Sequence, residues 1–551
     1  MISAAARQSR AMMRRFLQKT TCPRTTQEQT LLEKLERNSD SEWGKRFDFN
    51  SIKNIKTFRE RVPIAAYETF LPYIEKLKQG NSRALLGSRE KILGFGLTSG
   101  TTDEPKFIPF TPRFIREYKH STLLFVYRMV EDNPRLLEGK ILSVFSPARE
   151  YKTGGGVWCG SISGWIAENQ VPIVRNFYAL PNNVMEIRDL HARYYTLMRI
   201  ALTKNVGTLI TANPSTILNL VKLVDQGKEG IIRDIHDGTL SVKGLVEKSI
   251  FQHIKSHLKK DPLTAHRLEE LAQKNDSFIP RLYWPNLQLI ACWKGGTLFT
   301  YLDQFPNYFS DSTCVRDIGL LATEGRLSIP VVSGKDAGCP TIDSVFFEFI
   351  PEEDENQPSP RTLLIDELEL GKNYFLVITT SSGFTRYKIN DLVQVVDFLN
   401  QTPLIHFLNK GEHISSVTGE KISEHQVVTA VHDTAKEFNL HFSHFTMCPC
   451  WSEIPYYVLL AEEHELGNRS LWPGFIARLD ERLQELNIEY LSKRKSGRLD
   501  LIRLKVLEGN CFESRKKRGL HSEERVEQYK HVYLSPSMDY HKNFPVKEEI
   551  T

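Results

Sequence analysis

At 551 residues the chain is too long for one ordinary hydrophobic core, so two or more domains are expected. Its 40% hydrophobic and 25% charged residues are those of a soluble globular protein, and a net charge of +5 is too small for a protein whose main task is neutralising a nucleic-acid backbone. Eight scattered cysteines form no CxxC pair, and no apolar run approaches the ~20 residues of a membrane span, so a cytoplasmic protein without membrane or nucleic-acid partners is expected.

Residues 1–27 contain no acid but carry Arg7, Arg10, Arg14, Arg15, Lys19 and Arg24. A mitochondrial transit peptide has that composition, and so does a cationic first helix lying on its own domain. Thr25 and Glu28 are spaced as a capping box ahead of Leu31-Leu32-Glu33-Lys34-Leu35. Farther along, the apolar runs Ile141–Phe145, Thr208–Thr211 and Leu287–Cys292 read as buried strands, and Asn183–Ala201 and Pro214–Val224 carry helical periodicity. This alternation predicts a large layered α/β N-terminal domain, substantially parallel in part and mixed in its sheets as a whole. Residues 343–398 hold strands with little helix, at 345–350, 374–379 and 392–398. After Lys410-Gly411 a fresh alternation begins: helix 424–437, strands near 442–447 and 456–462, helix 474–487 and strand 500–507. That stretch predicts a smaller α+β C-terminal domain, giving domains 1–409 and 410–551.

Leu97-Thr98-Ser99-Gly100-Thr101-Thr102-Asp103-Glu104-Pro105-Lys106 is the strongest local signal. So many hydroxyls around one glycine suit neither a helix nor a packed strand, but they suit a loop whose O–H and N–H groups converge on an anion. Lys106 adds a point charge for phosphate. No Gly-Lys pair here is followed by Ser or Thr, so this is not a Walker loop. Gly295-Gly296-Thr297 follows a buried run, where glycines let a nucleobase or an acyl group approach the backbone. Gly154-Gly155-Gly156 reads either as a border of that pocket or as a surface turn. His441, His444, Cys448 and Cys450 are rich in ligand atoms, but their spacing matches no usual zinc pattern.

The loop is similar to the T-S-G-T-T-x-x-P-K signature of acyl-adenylate-forming enzymes, the superfamily of luciferases and acyl-CoA ligases. More narrowly, the chain resembles the Gretchen Hagen family of auxin-responsive acyl acid amido synthetases, in its bacterial-type branch. The likeness runs through Asn38–Gly44, Val62-Pro63-Ile64, Tyr67-Glu68, Pro72-Tyr73-Ile74, Trp284-Pro285-Asn286-Leu287, Phe346–Pro351 and Gly419-Glu420-Lys421.

The resemblance implies roles for further residues. Thr323 and Glu324 of Ala322-Thr323-Glu324-Gly325 would lie beside the triphosphate, with Glu324 holding Mg²⁺. Asp391, closing Arg386-Tyr387-Lys388-Ile389-Asn390-Asp391, would accept hydrogen bonds from the ribose hydroxyls. Two departures from the family's Y-R-x-G-D pattern stand here, Lys388 for Arg and Asn390 for Gly. Asn tolerates the left-handed backbone, whereas an ammonium cannot reproduce a bidentate guanidinium. Lys530 of Gln528-Tyr529-Lys530 would enter the site during adenylation. The implied cofactors are ATP and Mg²⁺. The implied substrates are a small carboxylic acid and an amine, most simply an amino acid, with a hinge near residue 410 serving two half-reactions. A coenzyme A ligase or a non-catalytic nucleotide-binding relative would carry the same motifs. The acid, the acceptor and the oligomeric state are not written in these motifs.

Overall fold

The structure, a computed structural model, describes residues 2–98, 105–170, 172–296, 298–355, 357–411, 414–418, 420–452, 454–519 and 531–550. The chain divides into two compact units. One comprises Met1–Ile389 and Val393–Phe407, the other Asn390–Leu392 and Leu408–Thr551.

In chain order the strands up to residue 410 are β1 (Gly94–Thr98), β2 (Lys106–Phe110), β3 (Lys140–Ser143), β4 (Tyr151–Lys152), β5 (Trp158–Gly160), β6 (Val206–Ile210), β7 (Leu289–Cys292), β8 (Cys314–Asp317), β9 (Leu321–Ala322), β10 (Gly325–Arg326), β11 (Ser328–Ile329), β12 (Cys339–Pro340), β13 (Phe346–Pro351), β14 (Asn373–Thr379), β15 (Tyr387–Leu399) and β16 (Thr402–Lys410). The sheet β3-β6-β7-β8 is parallel throughout, as the buried apolar runs predict. Helices Leu190–Ala201 and Pro214–Asp237 share a buried apolar cluster with it. The helix expected over 183–201 is interrupted: a 3₁₀ turn, Asn182–Glu186, precedes Leu190–Ala201. Asp189 starts the true helix by accepting the Ala192 N–H. The next helix outruns its expected end at Val224 and stops at Gly238, whose φ of 72° supplies the left-handed cap.

A second sheet, β2-β1-β5-β4, pairs β1 antiparallel to β2 and parallel to β5. The third, β13-β14-β15-β16, has a first strand buried along its whole length. Both contribute to one large core with the N-terminal helices. The first helix, Ile2–Lys19, buries Met13 and Phe16 there, and Lys19 pairs with Asp343 at 2.9 Å. The basic N-terminal segment is therefore built into the fold. The capping box at Thr25 does not form. The second helix begins earlier, at Pro23, where the fixed φ of proline suits the first helical position, and Glu28 instead faces the N–H of Ile55 at 3.4 Å.

The second unit carries the short strands β17 (Ile414–Ser415) and β18 (Ile422–Ser423) and a sheet of β19 (Phe445–Cys450), β20 (Tyr456–Glu462), β21 (Arg503–Leu507) and β22 (Val546–Ile550). Helices Glu424–Glu437 and Trp472–Leu486 accompany it. Ser423 and Gln426 form a complete capping box on the first of these. Cys448 and Cys450 are buried in the core of this unit, and among the described residues no three His, Cys, Asp or Glu side chains form a metal-binding group. Nor is any described helix long and apolar enough to cross a membrane.

Candidate active site

The phosphate-loop motif begins on β1 and ends on β2. Gly94 to Thr98 pair with Phe110 to Lys106, so Thr98 lies opposite Lys106 at the end of the hairpin where the chain crosses from one strand to the other. Ser99, Gly100, Thr101 and Thr102 lie outside the described residues. Lys106 is half-buried, with its ammonium 5.5 Å from the ring centroid of Tyr67. Tyr67 opens the helix Tyr67–Lys78, and its hydroxyl accepts the Phe107 N–H at 2.6 Å.

Thr323 and Glu324 form the turn between β9 and β10, an antiparallel pair. This turn packs on β1. At Gly96 a side chain would force its neighbours to move, because a methyl group there would overlap Cγ2 of Thr323 and approach the Phe110 ring to 2.7 Å. Glu324 is buried, and its charge reaches Tyr67. Burial does most to raise the pKa of the Tyr67 hydroxyl, the Phe107 backbone works the other way, and Glu324 raises it further. Two motifs far apart in sequence thus meet at one end of the β1–β2 hairpin. Behind them Arg326 is buried with its guanidinium 4.5 Å from the Phe125 ring, and desolvation draws its pKa down to about 10.

Gly295 and Gly296 follow β7, with Thr297 outside the described residues. Here the close approach is made by the protein itself. A methyl group on Gly295 would meet the Phe407 carbonyl at 3.0 Å, and the Gly296 N–H donates to that carbonyl at 3.0 Å. The φ of Gly296 is 67°, a conformation that favours glycine. Asp317 fixes the preceding bend by accepting N–H bonds from Lys294 and Gly319, each at 3.0 Å, and its burial raises its pKa.

Asp391 belongs to the second unit and is buried, receiving the Lys410 ammonium at 2.5 Å. Asn390 has φ 63°, so the turn a glycine would make is retained. Lys388 does not reach for an anion of its own accord: its ammonium is taken by Glu355 at 2.6 Å and lies 5.6 Å from the Phe375 ring. Arg386 is a structural cation, forked onto Glu348 at 2.9 Å through two nitrogens and donating to the Arg59 and Val62 carbonyls. In the segment 417–420, Glu420 accepts the Val417 and Thr418 N–H groups at 2.8 Å and the Tyr457 hydroxyl at 2.5 Å. Burial pushes its carboxyl up, but these donors outweigh it and hold the pKa low. Lys530 lies outside the described residues.

Three contributors escaped the sequence reading. Gly96 had a signal, since a glycine inside a strand marks a close approach. Tyr67 and Lys410 had none, because each acquires its meaning only from a partner distant in sequence. A cavity of about 330 Å³ lies elsewhere in the first unit, lined by Arg24, Ile55, Lys56, Arg59, Glu60 and Leu364. Two of its cations are already neutralised, Arg24 by Asp366 and Glu367 and Arg59 by Glu348, so it offers little to an anion.

A large mixed α/β unit followed by a smaller α+β unit is also the fold of solved acyl acid amido synthetases. Family models for the N-terminal, central and C-terminal domains of the GH3 family match residues 12–314, 339–410 and 425–538. The chain belongs to the GH3 family. It is 26% identical over 551 aligned residues to the indole-3-acetic acid-amido synthetase GH3.5 of Arabidopsis thaliana, covering 92% of this chain and 87% of that protein. It is 25% identical to a jasmonoyl-L-amino acid synthetase of Oryza sativa subsp. japonica, over 74% of each chain. Among solved structures, the GH3.15 acyl acid amido synthetase superposes with a TM-score of 0.82 at 21% identity, over 96% of this chain and 95% of that one. A 2-hydroxyisobutyryl-CoA ligase bound to its acyl-adenylate reaches 0.50 at 11% identity, over 98% and 91%.

Proposed function

We propose that the protein joins a small carboxylic acid to the amino group of an amino acid at the expense of ATP. A carboxylate oxygen attacks the α-phosphorus of ATP, forming the acyl–O–P bond of an acyl-adenylate and releasing pyrophosphate. The amine then attacks the acyl carbon, losing a proton and expelling AMP to leave an amide. The observation that carries this reading is the meeting of Lys106, the Thr323-Glu324 turn and Gly96 at one end of the β1–β2 hairpin.

The first half-reaction brings two anions together, and its need is for positioned positive charge and donors. Lys106, with Thr98, Ser99, Gly100, Thr101 and Thr102, grips the triphosphate in this reading; Thr323 borders it; Lys530 adds a second cation during adenylation. Gly295 and Gly296 border the nucleotide in this reading, and Asp391 orients the ribose. A single buried carboxylate, Glu324, fits Mg²⁺, which takes one or two carboxylates and completes its shell with phosphate oxygens and water. Bound there, the ion would neutralise charge on the triphosphate. Residues from 410 onward act as the C-terminal domain, which changes its station between half-reactions. A cytoplasmic setting suits eight free cysteines.

The test is carboxylate-dependent exchange of labelled pyrophosphate into ATP across a panel of aromatic and aliphatic acids. Folded protein that gives no exchange with any acid refutes the reading. Where exchange occurs, mass spectrometry after adding amino acids or coenzyme A separates an amide product from a thioester.

A further inference from the structure

Among the described residues no strand lies beside the outer edge of β2, since the sheet order is β2-β1-β5-β4. A residue in an extended strand points its N–H and C=O to the same side, and an outward pair on an edge is left for water or a side chain. At Phe107 one hydroxyl meets both groups: Tyr67 accepts the Phe107 N–H at 2.6 Å and donates to the Phe107 carbonyl at 3.3 Å. The N–H it holds belongs to the peptide linking Lys106 to Phe107, so the direction in which Lys106 leaves the strand is set there. The same ring lies under the Lys106 ammonium at 5.5 Å, within the range of a cation–π contact. The ring is itself fixed, being buried and stacked on Phe384 with centroids 6.2 Å apart. Its hydroxyl keeps its proton through burial and the nearby charge of Glu324.

From this clamp we propose that Tyr67 is a positioning residue for Lys106: it fixes both the backbone and the ammonium of the phosphate-gripping lysine. The assignment rests on the adenylation reading above.

The experiment is a double-mutant cycle on pyrophosphate exchange with Tyr67→Phe, Lys106→Ala and the pair, with KM for ATP, KM for the acid and melting temperature measured for each. Tyr67→Phe keeps the ring and removes the clamp; it is expected to lower kcat/KM for ATP about tenfold, the scale of one hydrogen bond to an organised site. KM for the acid stays within twofold. In the Lys106→Ala background the same change is expected to have no further effect on exchange. Phe70→Leu, in the same aromatic cluster but without contact to Lys106, is the control for a merely structural role. It should lower the melting temperature and leave KM for ATP alone. Additive losses from Tyr67→Phe and Lys106→Ala, or equal shifts of KM in Phe70→Leu, overturn the assignment of Tyr67 while leaving adenylation standing. Absence of exchange in the unsubstituted protein overturns both. Should Tyr67→Phe fail to fold, Tyr67→His, with a ring and a donor, is carried through the same cycle under the same criteria.

Discussion

Replacing Gly96 by alanine inserts one methyl group between the strand that begins the phosphate loop and the turn that carries Thr323 and Glu324. That methyl would overlap Cγ2 of Thr323 and sit 2.7 Å from two carbons of the Phe110 ring. Carbon atoms rest at ~3.5–4.0 Å, so the ring must retreat by about 1 Å, and the threonine by more. Phe110 has no room to do so, being buried and stacked on Phe114 with centroids 5.6 Å apart. Nor does β1 yield easily, since Gly96 pairs with Ile108 on one side and Gly160 on the other. Overpacking of this kind costs ~1–3 kcal/mol. The response of least resistance is displacement of the Thr323-Glu324 turn, and a shift of about 1 Å in a positioned group can cost ~10²-fold in rate. Gly96→Ala is therefore expected to lower both the melting temperature and the rate of pyrophosphate exchange, the latter by about 10²-fold. Gly94→Ala is a milder companion, since its methyl would meet the Trp158 carbonyl at 3.2 Å and nothing of the turn. It should lose some stability and little exchange. A Gly96→Ala protein that melts lower yet exchanges at the original rate would refute the coupling of the strand to the turn.

Glu324→Gln should slow exchange by ~10²–10³-fold, as removal of one charged stabilising group does, and should raise the Mg²⁺ concentration giving half-maximal rate; an unchanged Mg²⁺ dependence removes the metal role. Asp391→Asn keeps the shape and loses the charge facing Lys410, and calorimetry should find ATP bound about ten- to a hundred-fold more weakly, with unchanged affinity excluding it from the site. Stability should depend on pH through Asp343: burial pushes its carboxyl up, but the His120 hydrogen bond and the Lys19 charge outweigh it and bring the pKa from 3.8 to about 2. A lowered carboxylate pKa stabilises the fold above 3.8, and that contribution is lost as pH falls through about 2. Its size at neutral pH is about 2 kcal/mol, so Asp343→Asn should unfold at lower urea at pH 7, by a margin that narrows below pH ~4; a margin independent of pH contradicts the argument.

Much of the architecture was legible because it is locally determined. Helix Glu424–Glu437 starts where Ser423 and Gln426 can cap each other, and β7 is apolar along its length because both faces are covered. The readings that failed did so where two local signals competed. Thr25 and Glu28 have the spacing of a cap, but Pro23 two residues earlier fits the first helical position and takes the start of the helix. Asn183–Ala201 has continuous helical periodicity, yet Asp189 is the better N-cap and divides it. In the site, the chemistry-bearing side chains were visible as residue types, whereas the groups that place them were not. Nothing in the sequence around Tyr67 announces that its hydroxyl will meet the backbone of Phe107, because that contact is created by the packing of a helix against a strand edge.

The two departures at Lys388 and Asn390 acquire a physical meaning from the same distinction between groups that act and groups that place. An asparagine at φ 63° gives the turn a glycine would give, at a cost that Asn bears better than most residues. A lysine whose ammonium is already neutralised by Glu355 has no vacancy that a guanidinium's second prong would fill. Asp391, the carboxylate the nucleotide would need, remains buried and faces a cation within its own unit. The Lys410 ammonium is still partly exposed, so the pair costs desolvation mainly on the carboxylate. On the proposed reading, Lys106, Glu324 and Asp391 are all present, and the two departures fall on residues beside Asp391 rather than on the groups that reading calls on.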